Sequence, residues 1–382
     1  MLNKDRLIET FLELVQIDSE TGHEDIIQPI LKDKFESLGL SVVEDNAKAT
    51  TGFGANNLIC TLPANRENKD KIYFTSHMDT VEPGRNVKPI IKEDGFIYSD
   101  GTTVLGADDK AGLAVIFEVL HIIHEQQLPH GQIQFVITVG EESGLVGAKA
   151  LRKEDLDADY GYAIDSAVPV GSITIDSAVP VGSITIGAPY QMKVNATIHG
   201  KKAHASTPNE GISAINIAAQ AISQMKLGQI DHETTANIGK FQGGGPTNVV
   251  TDLVNIWAEA RSHAKDKLDA QVQHMKETFE HAAAQHHCHA EVETELSYPG
   301  FHVESDERVY QVAEQAAKAL GFEMQADVGG GGSDGNIINH LGIPTVILGV
   351  GYEKIHTTDE RISKQSLYDL TNFVLKIIEM NA

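Results

Sequence analysis

The residues best suited to chemistry stand in short polar segments, most of which follow a stretch that reads as a buried strand. The carboxyl ends of strands line the ligand crevice of an open α/β sheet, so residues distant in sequence can converge there. Together these residues offer oxygen and imidazole ligands without thiolate, which suits zinc, manganese or cobalt at an open catalytic site. The set comprises His77, Asp79, Asp108, Glu141, Glu142, Asp165 (or Asp176) and His356.

The segment LGADDKAG, at residues 105–112, sets two adjacent carboxylates before an apolar helix predicted from about Lys110 to Gln126. One N-cap carboxylate would satisfy a helix start, and a second adds repulsion between like charges. A bound cation would relieve that repulsion. An N-cap Asp108 followed by a solvated Asp109 is the alternative interpretation.

The other candidates are each ambiguous when taken alone. Alternation along an extended segment puts His77 and Asp79 on one face, where the carboxylate can fix the tautomer of the imidazole. An ordinary polar strand end would look the same. Of the adjacent Glu141 and Glu142, one could bind a metal while the other takes a proton from water. Such pairs are also common on solvated faces, and His356 by itself could be structural.

Length, charge and cysteine content narrow the class of protein. A chain of 382 residues suggests two domains, since one domain takes about 100 to 200 residues. The formal charge of -24 argues against nucleic acid or an anionic membrane as partner, because both need a basic surface. Cys60 and Cys288 imply no disulfide framework and suit a reducing cytosol. No apolar run approaches the roughly 18 residues of a membrane span, so we expect none, and the two thiols predict a cytoplasmic protein.

The alternation of strands and helices predicts an α/β fold with a doubly wound, mostly parallel sheet. From Tyr190 the pattern changes to the α+β order β-α-β-β-α-β of a split βαβ sandwich. The simplest organisation is a catalytic domain, residues 1–187 and 298–382, interrupted by an inserted lid domain, residues 188–297. The predicted lid elements are strand 191–199, helix 211–225, strand 236–242, strand 249–260, helix 267–285 and strand 290–297.

A helix signal also stands near the N-terminus. The tetrapeptide TGHE, at residues 21–24, has the spacing of a capping box and predicts a helix that runs to Leu38. Pro29 should kink this helix or delay its start.

Taken together, the motifs resemble those of the peptidase T-like tripeptide aminopeptidases. These belong to the large family of di-zinc metallopeptidases that includes aminoacylases and enzymes of the carboxypeptidase G type. The resemblance runs nearly end to end, and its motifs are specific in combination. They are SHMDT (76–80), LGADDKAG (105–112), TVGEESG (138–144), YAID (162–165), GKKAHAS (200–206), EARSH (259–263), GGGSDG (330–335) and KIHTTDE (354–360).

The resemblance implies a two-metal site. Asp108 would bridge two zinc ions, or manganese or cobalt ions in their place. His77 and the aspartate after YAI would complete one metal shell. Glu142 and His356 would complete the other.

The resemblance also implies a reaction. Asp79 would orient His77, and Glu141 would act as general base toward a water that bridges the metals. The expected reaction is hydrolysis of the N-terminal peptide bond of short peptides, tripeptides above all. The expected partner is therefore a short peptide.

Further residues resemble positions that bind the substrate. His204 in the lid would help to stabilise the oxyanion, and Arg261 suits a terminal carboxylate because its fork binds at two points. Arg261 could also be an ordinary surface residue of a lid strand. A homodimer through the lid stays open. The other substrate-binding positions are Asn248, Gly331, Gly332 and Ser333.

One departure from the family pattern is a tandem duplication. The segment DSAVPVGSITI occurs at residues 165–175 and again at 176–186, and each copy begins with an aspartate. Only one aspartate can bind the metal. We favour Asp165 over Asp176, because a ligand needs a buried strand end whereas extra residues can be absorbed in an exposed hinge.

Two other functions stay open. A related amidohydrolase, such as an aminoacylase or a dipeptidase, would use the same metals on a different acyl group. Alternatively, the duplicated hinge could have abolished turnover and left a protein that only binds metal or peptide.

Overall fold

The structure, a computed structural model, describes residues 1–165 and 181–381. Asp176 lies outside the described residues, so of the two duplicated aspartates only Asp165 has a described position. Contacts divide the chain into two units: unit 1 is Met1–Ala188 with Phe301–Ala382, and unit 2 is Pro189–Gly300. In the described part of the chain, no helix is both long and apolar enough to cross a membrane.

Most helices are amphipathic and bury one side against a sheet or another helix. Their bounds are α1 (Lys4–Val15), α2 (Ile27–Ser37), α3 (Ala47–Thr51), α4 (Ala107–Gln126), α5 (Val146–Ala150), α6 (Ala214–Gln224), α7 (Lys265–Gln285), α8 (Arg308–Leu320), α9 (Asp334–His340) and α10 (Lys364–Met380). In α1, Leu7, Phe11 and Leu14 are buried at helical spacing. By contrast, α4 is buried on every side as far as Leu120, so it forms the centre of the core of unit 1.

The strands form one large sheet in unit 1 and one smaller sheet in unit 2, with short ribbons beside them. Their bounds are β1 (Ser41–Glu44), β2 (Leu58–Leu62), β3 (Ile72–His77), β4 (Ile90–Ile91), β5 (Phe96–Tyr98), β6 (Ile133–Thr138), β7 (Tyr160–Ala163), β8 (Ile184–Ala188), β9 (Tyr190–His199), β10 (Ala203–His204), β11 (Gly228–Gln229), β12 (Thr234–Gly243), β13 (Val249–Val250), β14 (Leu253–Ser262), β15 (Ala290–Tyr298), β16 (Phe301–His302), β17 (Ala326–Val328), β18 (Thr345–Leu348), β19 (Tyr352–Glu353) and β20 (Arg361–Ser363). The large sheet has the order β1-β2-β6-β3-β7-β18-β8-β16, with β17 beside β8.

The centre of the large sheet is parallel. Strands β6, β3, β7 and β18 are parallel neighbours, and every residue in them is buried. Side chains alternate between the two faces of a strand, so both faces of this sheet are covered. The predicted α/β fold with a mostly parallel central sheet is confirmed. Antiparallel strands flank the parallel centre.

The register brings the expected site segments to one end of the sheet. His77, the last residue of β3, pairs with Thr138 at the end of β6, and Thr75 pairs with Ala163 at the end of β7. Glu141 and Asp165 follow these two strands within three residues. The carboxyl ends of the parallel strands therefore carry the polar segments to the same edge.

The predicted helix start at residues 21–24 is wrong. This segment forms a turn, and α2 begins only at Ile27, two residues before Pro29. Glu24 does not cap the helix, because its carboxylate accepts hydrogen bonds from the backbone N–H groups of Gly22, Gly54 and Gly140. Tertiary partners thus outcompeted the local capping box.

Unit 2 is an α+β fold, and the predicted order β-α-β-β-α-β is confirmed by β9, α6, β12, β14, α7 and β15. Its main sheet is antiparallel throughout, in the order β11-β12-β14-β9-β15. In β9, Val194, Ala196 and Ile198 are buried while the residues between them are more exposed. Helices α6 and α7 pack on the buried face, and the outer face carries the polar residues.

The single strand predicted over 249–260 is wrong. Val249 and Val250 form β13, which pairs with β10, and the main strand β14 begins at Leu253 after a break at Thr251 and Asp252. The continuous apolar pattern concealed this change of partner strand.

Candidate metal centre

The carboxylate of Asp108 lies between two imidazoles. Its Oδ1 is 3.1 Å from Nε2 of His77, and its Oδ2 is 3.4 Å from Nε2 of His356. Each oxygen therefore faces a different histidine. This is the arrangement by which one carboxylate can bridge two cations.

Two groups of ligand atoms share Asp108, and within each group all atoms lie within 4.8 Å of one another. His77, Asp108 and Asp165 form the first, which we call the buried half. Asp108, Glu142 and His356 form the second, which we call the open half. In the open half, His356 Nε2 is also 3.0 Å from Glu142 Oε2. The structure therefore brings together all five predicted metal ligands that it describes.

The charge of these groups also fits cations. Burial, with the neighbouring charge of Asp108, raises the pKa of Asp165 to about 8, and the same two causes raise the pKa of Glu142. Burial opposes ionisation of Asp108 as well, but hydrogen bonds with His356 and His77 outweigh it and lower the pKa of Asp108. Several carboxylates crowded out of water are unfavourable unless positive charge accompanies them. The donor set thus fits two divalent cations.

His77 is fixed by a second contact on its far side. Its Nδ1 lies 3.0 Å from the carbonyl oxygen of Asp79, and 3.4 Å from the Oδ1 of the same residue. A carbonyl oxygen can only accept, so Nδ1 carries the proton and donates. The lone pair of neutral His77 is then on Nε2, which faces Asp108.

Asp79 has a second role that sequence reasoning missed. Its carboxylate accepts hydrogen bonds from the backbone N–H groups of Glu141, at 3.0 Å, and Glu142, at 3.2 Å. Glu24 holds the preceding residue through the N–H of Gly140, at 3.1 Å. Two buried carboxylates therefore anchor the turn that carries the paired glutamates.

Glu141 lies beside the open and buried halves. One of its carboxylate oxygens is within 4.8 Å of ligand atoms of His77 and Glu142. Burial is the main cause that raises the pKa of Glu141 well above its usual range, and the negative charge of Asp165 is the next. A carboxyl group with a raised pKa is suited to gain and lose a proton near neutrality.

The interpretation of Asp109 as a solvated residue is wrong. The side chain is fully buried, and its carboxylate accepts hydrogen bonds from the hydroxyl of Ser76 and the N–H of Gly112. Burial raises the pKa of Asp109 well above its usual range. Its contacts stabilise the first turn of α4, and Asp108 is the member of the pair that faces the histidines.

Two further residues at the centre were not among the candidates. The hydroxyl of Tyr352 donates to Oδ1 of Asp165 at 3.1 Å and lies 3.4 Å from Oδ1 of Asp108. The carboxylate of Glu360 accepts hydrogen bonds from the N–H groups of Gly106, at 2.8 Å, and Asp108, at 3.0 Å. Glu360 does belong to the quoted KIHTTDE motif, whereas no local pattern marks Tyr352.

The expected substrate-binding residues are distributed over both units. In unit 1, Gly331 and Gly332 precede Ser333, whose hydroxyl accepts from the N–H of Gly335 and caps α9. Their role toward a substrate stays a prediction. The same holds for the expected residues of unit 2, which are His204, Asn248 and Arg261.

In unit 2, two of these residues lie close together: His204 is in β10, and Asn248 immediately precedes β13, the partner strand of β10. The exposed His204, in β10, holds its Nδ1 2.7 Å from the hydroxyl of Ser206, and the carbonyl of Asn248 accepts from the N–H of Ala205 at 2.9 Å. Arg261, in β14, donates through Nε to Glu259 Oε1 at 2.8 Å. A substrate carboxylate at Arg261 would therefore meet an arginine that already has an acidic neighbour.

A model of peptidase family M20/M25/M40 matches residues 73–380 of this chain. The chain belongs to this family, which confirms that it is a hydrolytic enzyme of the peptidase class and that the resemblance in its motifs is genuine. Among curated relatives, the uncharacterised protein YqjE of Bacillus subtilis is 53% identical, with 99% of both chains covered. Peptidase T of Enterococcus faecalis is 27% identical, with 92% of this chain and 90% of the relative covered.

Solved structures agree in fold over the whole chain. A tripeptidase from Staphylococcus aureus is 59% identical and superposes with a TM-score of 0.94, covering 100% of this chain and 99% of its own. Aminopeptidase PepT from Bacillus cereus is 54% identical, with a TM-score of 0.89 and coverage of 99% and 98%. The fold of this chain is thus shared with these two solved peptidase structures.

Proposed function

We propose that this protein is a zinc-dependent exopeptidase that removes the N-terminal residue of short peptides, tripeptides above all. The observation that carries the proposal is the carboxylate of Asp108, whose two oxygens face the histidines of two separate ligand groups. The similar structures of a tripeptidase and of aminopeptidase PepT support this choice of substrate.

Two divalent cations, when bound, would polarise the scissile carbonyl and make the attacking water more acidic. The buried half and the open half would each hold one of them, with Asp108 common to both. Imidazole and carboxylate ligands suit zinc best, and manganese or cobalt could replace it.

Glu141 would carry the proton. It would take the proton from the attacking water and hand it to the leaving amine. Burial raises the pKa of Glu141, which favours the protonated form that the second transfer needs. The hydrogen bonds that Asp79 and Glu24 accept from residues 140–142 hold its main chain in place during both transfers. We assign no catalytic step to Asp79 itself, which acts through His77 and this turn.

The residues of the inserted unit would contact the substrate. We assign His204 to the developing oxyanion, Asn248 to the peptide backbone and Arg261 to the terminal carboxylate. Gly331 to Ser333 would line the same substrate.

The two cysteines, Cys60 and Cys288, are both free, which supports a reducing compartment such as the cytosol.

The test is release of alanine by the zinc-loaded chain from tri-alanine, with three matched controls. We expect rapid release from tri-alanine, slower release from di-alanine, and none from N-acetyl-tri-alanine, whose amino end is blocked. Faster hydrolysis of N-acetylalanine would overturn the proposal in favour of an aminoacylase. Two bound zinc ions without any turnover would instead support a protein that only binds.

A further inference from the structure

The main chain at the start of α4 cannot supply acceptors for all of its own N–H groups. Asp108 and Asp109 have non-helical backbone angles, and the N-cap position is Gly106, which has a φ of 72° and no side chain to act as a cap. Residues 106–110 are all buried, so water does not supply acceptors for their N–H groups. Buried N–H groups without a partner are unfavourable, and such a helix start therefore needs an acceptor from elsewhere.

Glu360 supplies that acceptor from 254 residues further along the chain. Its two carboxylate oxygens are divided between two N–H groups: Oε2 accepts from Gly106 at 2.8 Å and Oε1 accepts from Asp108 at 3.0 Å. The side chain of Glu360 is 1% exposed, so these bonds face little competition from water.

We propose that Glu360 is a positioning residue that sets the carboxylate of Asp108 at its distance from the two histidines. The inference rests on the proposed function, in which Asp108 holds both cations. Glu360 accepts hydrogen bonds from the main chain on both sides of Ala107, and one of these donors is the N–H of Asp108 itself. A shift of the backbone there would move both Asp108 oxygens together, away from His77 and His356.

The loop that carries Glu360 also carries a proposed metal ligand. His356 lies four residues before Glu360, and β20, which begins at Arg361, is paired with β5. The loop between β19 and β20 therefore delivers both a side chain of the open half and the anchor of the shared carboxylate. Glu360 thereby couples the position of His356 to that of Asp108, independently of any contact between them.

The experiment compares zinc affinity in metal-free full-length variants, by competition with a chromophoric chelator. Glu360→Gln preserves the shape of the side chain but replaces one acceptor oxygen with a donor, so only one of the two backbone bonds can remain. We expect zinc affinity to fall about 10- to 100-fold, as for other groups that orient metal ligands. The readout uses no peptide, so it does not depend on which substrate the enzyme cleaves.

The matched control is Glu118→Gln. Glu118 is also buried, lies on the same helix α4, and accepts bonds from the N–H of Asn3 and the side chain of Arg6. We expect this variant to lose thermal stability and to keep zinc affinity within about twofold of the parent chain. Unchanged zinc affinity in Glu360→Gln, or an equal fall in Glu118→Gln, would overturn the positioning role. If the parent chain itself failed to bind two zinc ions, the proposed function would fail separately.

A second measurement needs no variant and covers the case in which Glu360→Gln does not fold. In the metal-free parent chain, the amide hydrogens of Gly106 and Asp108 should exchange with solvent slowly, at rates typical of the core of α4. Rapid exchange at these two amides would show that Glu360 does not hold them, and the inference would be wrong.

Discussion

The two halves of the candidate metal centre share Asp108 but differ in how the protein holds their histidines. His77 closes a fully buried parallel strand, its side chain is 2% exposed, and its Nδ1 has a backbone partner. His356 is 49% exposed, stands on a loop with a φ of 62°, and holds its Nε2 close to the carboxylates of Asp108 and Glu142. The buried half is therefore shaped by the fold before any cation arrives, whereas the open half depends much more on the cation itself.

This difference has a chemical use. A preformed half can hold one cation tightly, because little ordering remains to be done on binding. A half built on an exposed loop can adjust its ligands as the bound groups change. We expect the two cations to differ in affinity and exchange rate for this reason.

The largest expected effect comes from Asp108→Asn, which breaks both halves at once. We expect loss of both zinc ions and a fall in activity of at least about 10³-fold, since metal ions supply several kcal/mol of transition-state stabilisation. Zinc content by mass spectrometry and the rate of tri-alanine hydrolysis measure this. The neighbouring Asp109→Asn is the control, and it should retain both zinc ions. If Asp109→Asn lost them equally, the division of roles between the two aspartates would be wrong.

Two variants, His77→Gln and His356→Gln, test whether the fold holds the two histidines to different degrees. Each should weaken binding of one zinc ion. His77→Gln should also lower the free energy of unfolding of the metal-free protein by about 1–3 kcal/mol, because buried partners lose their hydrogen bonds. His356→Gln should lower that free energy less than His77→Gln does, because the ring of His356 is half exposed and solvent screens its ion pairs. Urea unfolding measures the difference, and equal losses in the two variants would contradict it.

The duplicated aspartates give a smaller, more local test of the buried half. Asp165→Asn should lower zinc affinity about 10- to 100-fold, while Asp176→Asn should leave it within about twofold. The physical reason is that Asp165 follows the central strand β7 and lies with His77 and Asp108. Titration with a zinc-selective chelator measures both variants. A larger effect of Asp176→Asn would show that the metal ligand is the aspartate of the second copy.

The smallest expected effect is the release of one proton from the open half when zinc binds. Hydrogen bonds with Asp108 and Glu142 raise the pKa of His356 to about 10 in the metal-free protein. The imidazole is therefore protonated at pH 7 and must lose its proton to bind zinc. Zinc affinity should rise with pH below about 10, by about tenfold per pH unit for one proton. Calorimetry in buffers of different ionisation enthalpy counts the protons, and His356→Gln should release fewer.

The sequence was sufficient to predict which side chains meet at the centre. Proposed ligands such as His77 and Asp165 follow strands of clear composition, and parallel strands deliver their carboxyl ends to one edge. The α/β fold and the order of elements in unit 2 followed from the same hydrophobic patterns. These features depend on local periodicity, which a sequence displays directly.

The supports of the site could not be predicted in the same way. Glu360, Glu24 and Asp79 act through hydrogen bonds to main-chain N–H groups of distant residues. Every residue except proline offers a main-chain N–H group. The residue type at the donating position therefore does not reveal which carboxylate accepts its hydrogen bond. The capping-box interpretation of Glu24 failed for this reason, because its true partners include a glycine 116 residues away.

The duplication occurs where chain closure is easy. Ala163 at the end of β7 and Thr185 near the start of β8 both pair with Ile347 of β18, so they lie two strand spacings apart, about 10 Å. Nine residues, the connection that a single copy would leave between these strands, can span roughly 30 Å. The second copy is therefore unnecessary for joining the strands.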